Sequence, residues 1–140
     1  MDEMFPLERR LEMIAASDDL LLAMPHTPDT HRLMGEAELG AMKPQSVLIN
    51  IGRGSTVDEQ ALVRALEGGR LRGAALDVFE TEPLPPEHAF WRLGNVFISP
   101  HCADRTPTWM ADAVELFSRN LGRFEKGEPL LNIVDKRAGY

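Results

Sequence analysis

The 140-residue chain has a single cysteine, Cys102, so no internal disulfide can form and any fold must rest on a packed core. That usage fits a reducing compartment, and cytoplasmic localisation is expected. Basic residues are scarce: 15 Lys and Arg stand against 22 Asp and Glu, a net charge of −7. This argues against a nucleic-acid partner, because phosphate binding requires clustered cations. No apolar run approaches the roughly 18 residues of a membrane span. The opening "MDEMFPLERR" is acidic and lacks a long apolar core, so it is not read as a secretory signal. Repeats and low-complexity segments are missing too. His26, His31 and His88 lack metal-ligand spacing, and no metal site is expected. The seven methionines, from Met1 to Met110, are scattered and read as filler.

What is present is an ordinary globular composition, 44% hydrophobic and 26% charged, of about one-domain length. Leu7, Leu11 and Ile14 share a helical face over residues 7–16, with Pro6 at its first turn. Four short apolar runs follow: 19–25, 46–52, 73–79 and 95–99. Continuous runs of this kind suit strands covered on both faces. Between them lie helical patterns. "EAELGAM" ends at Pro44. In "STVDEQALVRALEGG", Thr56 and Glu59 match a capping box and Gly68 and Gly69 form the stop. Thr30 is a possible cap in the loop "HTPDTH". Thr106 and Pro107 are expected to open a long helix to Lys126, with Trp109, Ala113, Phe117, Leu121 and Phe124 facing inward and an extended tail beyond. Strands alternating with helices predict an α/β fold with a parallel sheet.

Ligands of such sheets bind beyond the carboxyl ends of the strands. Arg53, Glu82 and His101 all fall there. An imidazole exchanges protons near neutral pH, although an arbitrary histidine is more often a satisfied structural residue. A neighbouring carboxylate such as Glu82 would stabilise the imidazolium; alone, it reads as solvated surface. Arg53, between Gly52 and Gly54, can grip a carboxylate bidentately, or be an exposed arginine in a tight turn. The glycines would allow unusual backbone angles and close approach of a ligand. Asp77 ends an apolar run and needs a partner: a backbone amide, a ligand amide or Arg53. Cys102, next to His101 on extended backbone, would point the opposite way.

Three stretches, "LLLAMPHTPDTHRLMG", "LGAMKPQSVLINIGRGSTVDEQALVRALEGGRLRGAALDVFETEPLP" and "NVFISPHCADRT", together resemble the NAD-binding domain of the D-isomer-specific 2-hydroxyacid dehydrogenases. The resemblance covers nearly the whole chain. It implies a partial Rossmann-like domain over residues 1–105 and a helix and tail over 106–140 that lead toward a substrate lobe. It implies hydride exchange between NAD or NADP and a small 2-oxo or 2-hydroxy acid. Arg53 would hold the substrate, His101 would be the acid–base group and Glu82 its carboxylate partner. Thr27, Gly52, Arg53, Asp77, His101 and Ala103 would line the cofactor, and the chain would be a homodimer.

Departures from the family pattern matter. There is no G-x-G-x-x-G turn to cradle a pyrophosphate, and no residue that would select NAD from NADP. The first βαβ unit is therefore taken to be lacking, strand 19–25 is expected to be a sheet edge, and the chain is expected to be a fragment with little activity alone. Similar motifs also occur in the C-terminal-binding corepressors, so a non-catalytic binding module, or a degraded remnant, is the alternative.

Overall fold

The computed structural model describes residues 3–139; Met1, Asp2 and Tyr140 lie outside them, and with them one of the scattered methionines and the end of the tail. Four strands, β1 (Leu20–Leu22), β2 (Val47–Asn50), β3 (Gly73–Leu76) and β4 (Val96–Ile98), form one parallel sheet in the order β1-β2-β3-β4. Each is the centre of one of the apolar runs. The ladder continues one step past their carboxyl ends, through Ile51 N to Leu22 O, Asp77 N to Asn50 O and Ser99 N to Leu76 O, each 3.0 Å. Strand β1 is an edge, as the sequence suggests.

Side chains alternate across a sheet, so each strand divides between two faces. One face carries Leu20, Leu22, Leu48, Ala74 and Leu76, all buried. Helices α1 (Arg10–Ala16), α2 (Glu36–Ala41) and α3 (Glu59–Glu67) contribute Ile14, Leu39, Leu62 and Leu66 to the same core. The other face carries the register row Leu21, Ile49, Ala75 and Phe97. Leu21 is 56% exposed and Phe97 68%. Strands covered on both faces were the expectation; the observed sheet is covered on one, because α1 to α3 all bury their stripes against the same side.

Two helix starts also differ from the reading. Asp58, not Thr56, caps α3: its Oδ1 accepts from Ala61 N at 3.0 Å. Thr56 is fully buried and donates its hydroxyl to Arg53 O instead, and Glu59 turns to Glu80 N. The box pattern was met in spacing, but a nearer carboxylate took the cap. At the N-terminus, Leu7–Arg9 form a single tighter turn preceded by an extended Pro6. Of the expected face, Leu7 and Leu11 are exposed and only Ile14 is buried.

The chain divides into two compact units after His101. The second contains α4 (Trp109–Glu125) and the segment after it. Its helix starts two residues later than expected, with Thr108 at the cap and its hydroxyl donating to Asp112 Oδ2 at 2.9 Å. The stripe read as inward-facing is not buried: Trp109, Phe117, Leu121 and Phe124 are 45–72% exposed, and Ala113 is exposed as well. The tail is not simply extended. Asn120 holds Leu131 at both its N–H (2.8 Å) and its C=O (3.1 Å), folding the chain back on the helix. Among the described residues, no helix is long and apolar enough to cross a membrane.

Candidate active site

Beyond the end of β2 the chain turns sharply through Gly52, Arg53 and Gly54. The turn is set by Asn50, a polar residue at an inward strand position and 1% exposed. Its Oδ1 accepts from Gly52 N at 3.0 Å and its Nδ2 donates to Arg53 O at 3.1 Å. The Arg53 carbonyl also accepts from Thr56 N (3.2 Å) and Thr56 Oγ1 (2.7 Å). The backbone beneath the guanidinium is thus fixed by three donors, while the side chain itself is exposed. The glycines serve close approach rather than unusual angles, which corrects part of the expectation. Neither has a positive φ. A Cβ on Gly54 would lie 1.9 Å from the Phe79 carbonyl carbon, and one on Gly52 would lie 2.7 Å from Met24 O. What comes close is the chain's own backbone.

The Gly54 contact brings Arg53's turn against the start of the loop that follows β3. That loop carries Glu82. Its Oε1 accepts from Phe79 N at 2.9 Å and its Oε2 meets His101 Nδ1 at 2.7 Å. Burial pushes the Glu82 carboxyl up. The hydrogen bonds from His101 and Phe79 N, with the charges of His101 and Arg53, outweigh it and hold the group below the ordinary carboxylate range.

His101 stands just past β4 in the left-handed region, at φ +50°. For a non-glycine residue this costs about 1 kcal/mol or more, and it persists only where the surroundings impose it. Its N–H donates to Asp77 O at 2.8 Å. With Nδ1 on a carboxylate, the ring's Nε2 is the nitrogen left to exchange a proton with a ligand. Asp77 itself is 4% exposed and accepts from Ser99 Oγ at 2.5 Å, a hydroxyl contact that the sequence reading did not name. Through its backbone, Asp77 joins the ends of β2, β3 and the turn at His101.

A cleft of about 440 Å³ adjoins the dyad, with Phe79, Glu82, Leu84, Trp91, Ile98 and His101 in its wall. Arg53 does not line it. The cleft is apolar space beside the dyad, not the place where a carboxylate would be gripped. At the β1 end, Thr27 and Thr30 cap each other: Thr27 N donates to Thr30 Oγ1 (2.7 Å) and Thr30 N to Thr27 Oγ1 (3.2 Å). His26 is hydrogen-bonded to Ser55 Oγ at 2.8 Å. Ala103 lies in the second unit, in an exposed turn closed by Arg105 N to Cys102 O. Asn50 and Ser99 were missed by the sequence reading, and Thr56 and Glu59 were read only as a capping box; the available signal was polarity at buried or strand-end positions.

The profile of the D-isomer specific 2-hydroxyacid dehydrogenase NAD binding domain matches residues 3–103. The chain belongs to that family. A glyoxylate reductase from Korarchaeum cryptofilum is 40% identical over 134 residues, covering 96% of this chain and 40% of that protein. A Corynebacterium melassecola protein without a described function is 41% identical over 139 residues, covering 99% and 46%. Among solved structures, a D-isomer specific 2-hydroxyacid dehydrogenase from Xanthobacter autotrophicus Py2, in complex with NADPH and MES, superposes with a TM-score of 0.89 at 40% identity. It covers 96% of this chain, and this chain covers 55% of it. An NADPH-dependent glyoxylate/hydroxypyruvate reductase from Sinorhizobium meliloti gives 0.89 at 35% identity, covering 97% and 44%. The chain therefore spans about half, or less, of the length of these 2-hydroxyacid dehydrogenase relatives.

Proposed function

We propose that this chain carries the proton-transfer and carboxylate-gripping side of an NAD(P)-dependent 2-hydroxyacid dehydrogenase acting on a small 2-oxo acid such as glyoxylate or hydroxypyruvate. The observation that carries the reading is the 2.7 Å contact between His101 Nδ1 and Glu82 Oε2, at the same end of the parallel sheet as the Arg53 turn. Arg53 holds the substrate carboxylate through two parallel hydrogen bonds. His101 gives its Nε2 proton to the carbonyl oxygen during reduction and takes it back in oxidation. Glu82 orients the ring and balances the charge that develops on it.

The residues fit the nicotinamide end of a dinucleotide. Thr27, Gly52 and Asp77 would hold it, offering a hydroxyl, backbone groups and a carboxylate. When bound, the cofactor supplies or accepts the hydride. The pyrophosphate end is not matched, because these 140 residues contain no G-x-G-x-x-G turn. Weak dinucleotide affinity and slow turnover by this chain alone follow.

The test is an NMR-monitored titration with glyoxylate, then turnover with NADH or NADPH followed by nicotinamide absorbance. Glyoxylate is expected to shift the signals of Arg53, Glu82 and His101, and Arg53→Gln to abolish those shifts. Residual turnover is expected to disappear in His101→Gln. Shifts that survive Arg53→Gln, or a rate indifferent to His101→Gln, would overturn the assignment.

A further inference from the structure

The loop 80–88, "ETEPLPPEH", carries Glu82, yet its two ends converge on one side chain of another element. Glu59, in the first turn of α3, accepts from Glu80 N through Oε1 at 2.7 Å. Its Oε2 lies 3.4 Å from His88 Nε2. His88 Nδ1 accepts from Phe90 N at 3.3 Å, so the proton of the neutral ring sits on Nε2, the nitrogen within ion-pair distance of Glu59. One carboxylate thus pins the first and last residues of a loop rich in proline. We propose that Glu59 is a positioning residue for the Glu82–His101 pair: by closing both ends of the loop, it sets where Glu82 can present its carboxylate.

Two facts support this. The Glu59 side chain is only 13% exposed. A carboxylate that enters a helix first turn for its dipole alone has no reason to be buried. Burial pushes the Glu59 carboxyl up; the Glu80 N–H and the charges of His88 and Arg32 pull it down, and the charge of Glu80 raises it. The chain tolerates a costly group here, as proteins do where geometry must be held. The second fact is adjacency. Glu80 N is held by Glu59 and Phe79 N by Glu82, so successive amides of one strand exit are fixed by the clamp and by the working carboxylate. Closing a loop at its base removes most of the freedom of the residues within it.

The inference rests on the dehydrogenase reading, and the experiment separates the two. The Glu82 carboxyl is titrated by carbon-detected NMR, and amide exchange is followed at Phe79 and Glu80 in the full chain. Glu59→Ala is expected to raise the Glu82 midpoint toward the ordinary carboxylate range and to speed exchange of the Glu80 amide about tenfold or more. Sheet amides at Leu48 and Ala74 should be unchanged. Glu59→Gln keeps an acceptor oxygen at the same reach and is expected to restore the wild-type values at Glu82. In the unaltered chain the Glu80 amide should already be protected. An unprotected Glu80 amide, or a Glu82 midpoint that ignores Glu59→Ala while responding to His101→Gln, would overturn the clamp. A Glu82 midpoint that ignores His101→Gln would overturn the dyad instead.

Discussion

Two turns at the same rim present the charged groups of the candidate site, and they are built on opposite principles. The Arg53 turn is held by uncharged, buried hydrogen bonds from Asn50 and Thr56 and by a backbone contact at Gly54. The Glu82 loop is held at its ends and at its working residue by carboxylates: Glu59 on Glu80 N and His88, Glu82 on Phe79 N and His101. Neutral anchors do not change with pH and are weakly affected by salt; carboxylate anchors respond to pH. The first turn should therefore be broken by volume and the second by proton concentration.

The largest expected effect is steric. Gly54→Ala places a methyl 1.9 Å from the Phe79 carbonyl carbon, with the Phe79 oxygen at 2.1 Å and Glu80 N at 2.4 Å. All three are backbone atoms and cannot rotate away. The two turns must separate, at a cost of about 3 kcal/mol or more. Urea unfolding should show a correspondingly lower midpoint, and the Glu82–His101 contact should weaken with it. Wild-type stability in Gly54→Ala would mean that the turns are not packed as described.

The sheet itself was legible in the sequence because its runs are continuous and separated by helical stripes, and the parallel order then brings Arg53, Glu82 and His101 to one rim. The anchors were less legible. Asn50 ends the run "VLIN" at the inward register, but register depends on pairing with β1 and β3, which no local pattern states. Glu59 matched a capping box with Thr56, and only the three-dimensional path of the 80–88 loop shows that it serves Glu80 and His88. The open face was unreadable for a related reason: "LLL" looks alike whether Leu21 meets a helix or water, so a continuous run does not say how many faces are covered. On α4 the 3.6-residue spacing of Trp109, Phe117, Leu121 and Phe124 marks an apolar stripe, but the inward burial read from it is not observed, because spacing does not say whether a partner surface is there.

A smaller effect sharpens the contrast through pH. Glu82 has its folded-state midpoint lowered, so its contribution to stability is present above the unfolded carboxylate value and is lost as pH falls through the folded one. Glu59 is raised, so its contribution runs the other way: favourable below the unfolded value and lost as pH rises through the folded one. On acidification Glu59 should protonate first and relieve its burial cost, and Glu82 last. Stability measured by urea unfolding across the carboxylate range should therefore fall less steeply in Glu82→Gln than in the unaltered chain. The difference should be about 1 kcal/mol or less, because Glu82 is 35% exposed and screened by solvent. An identical acid limb would remove Glu82 from the anchors.

The smallest effect isolates surface charge from the buried clamp. Arg32 pairs with Glu80 at 3.0 Å, and the two side chains are 51% and 35% exposed. This ion pair touches the same end of the loop that Glu59 holds, so it could be taken for an anchor of equal weight. Its geometry argues otherwise. Both side chains reach water, where attraction at this distance is offset by desolvation and the entropy of ordering long side chains. Glu59 instead accepts from the Glu80 amide itself. Arg32→Ala should leave the urea midpoint and the exchange of the Glu80 amide unchanged, at low ionic strength as well as at about 1 M salt, where the screening length falls to about 3 Å. If Arg32→Ala frees the Glu80 amide as Glu59→Ala is expected to, the loop is held from its surface, and the division between a neutral turn and a carboxylate-clamped loop loses its second half.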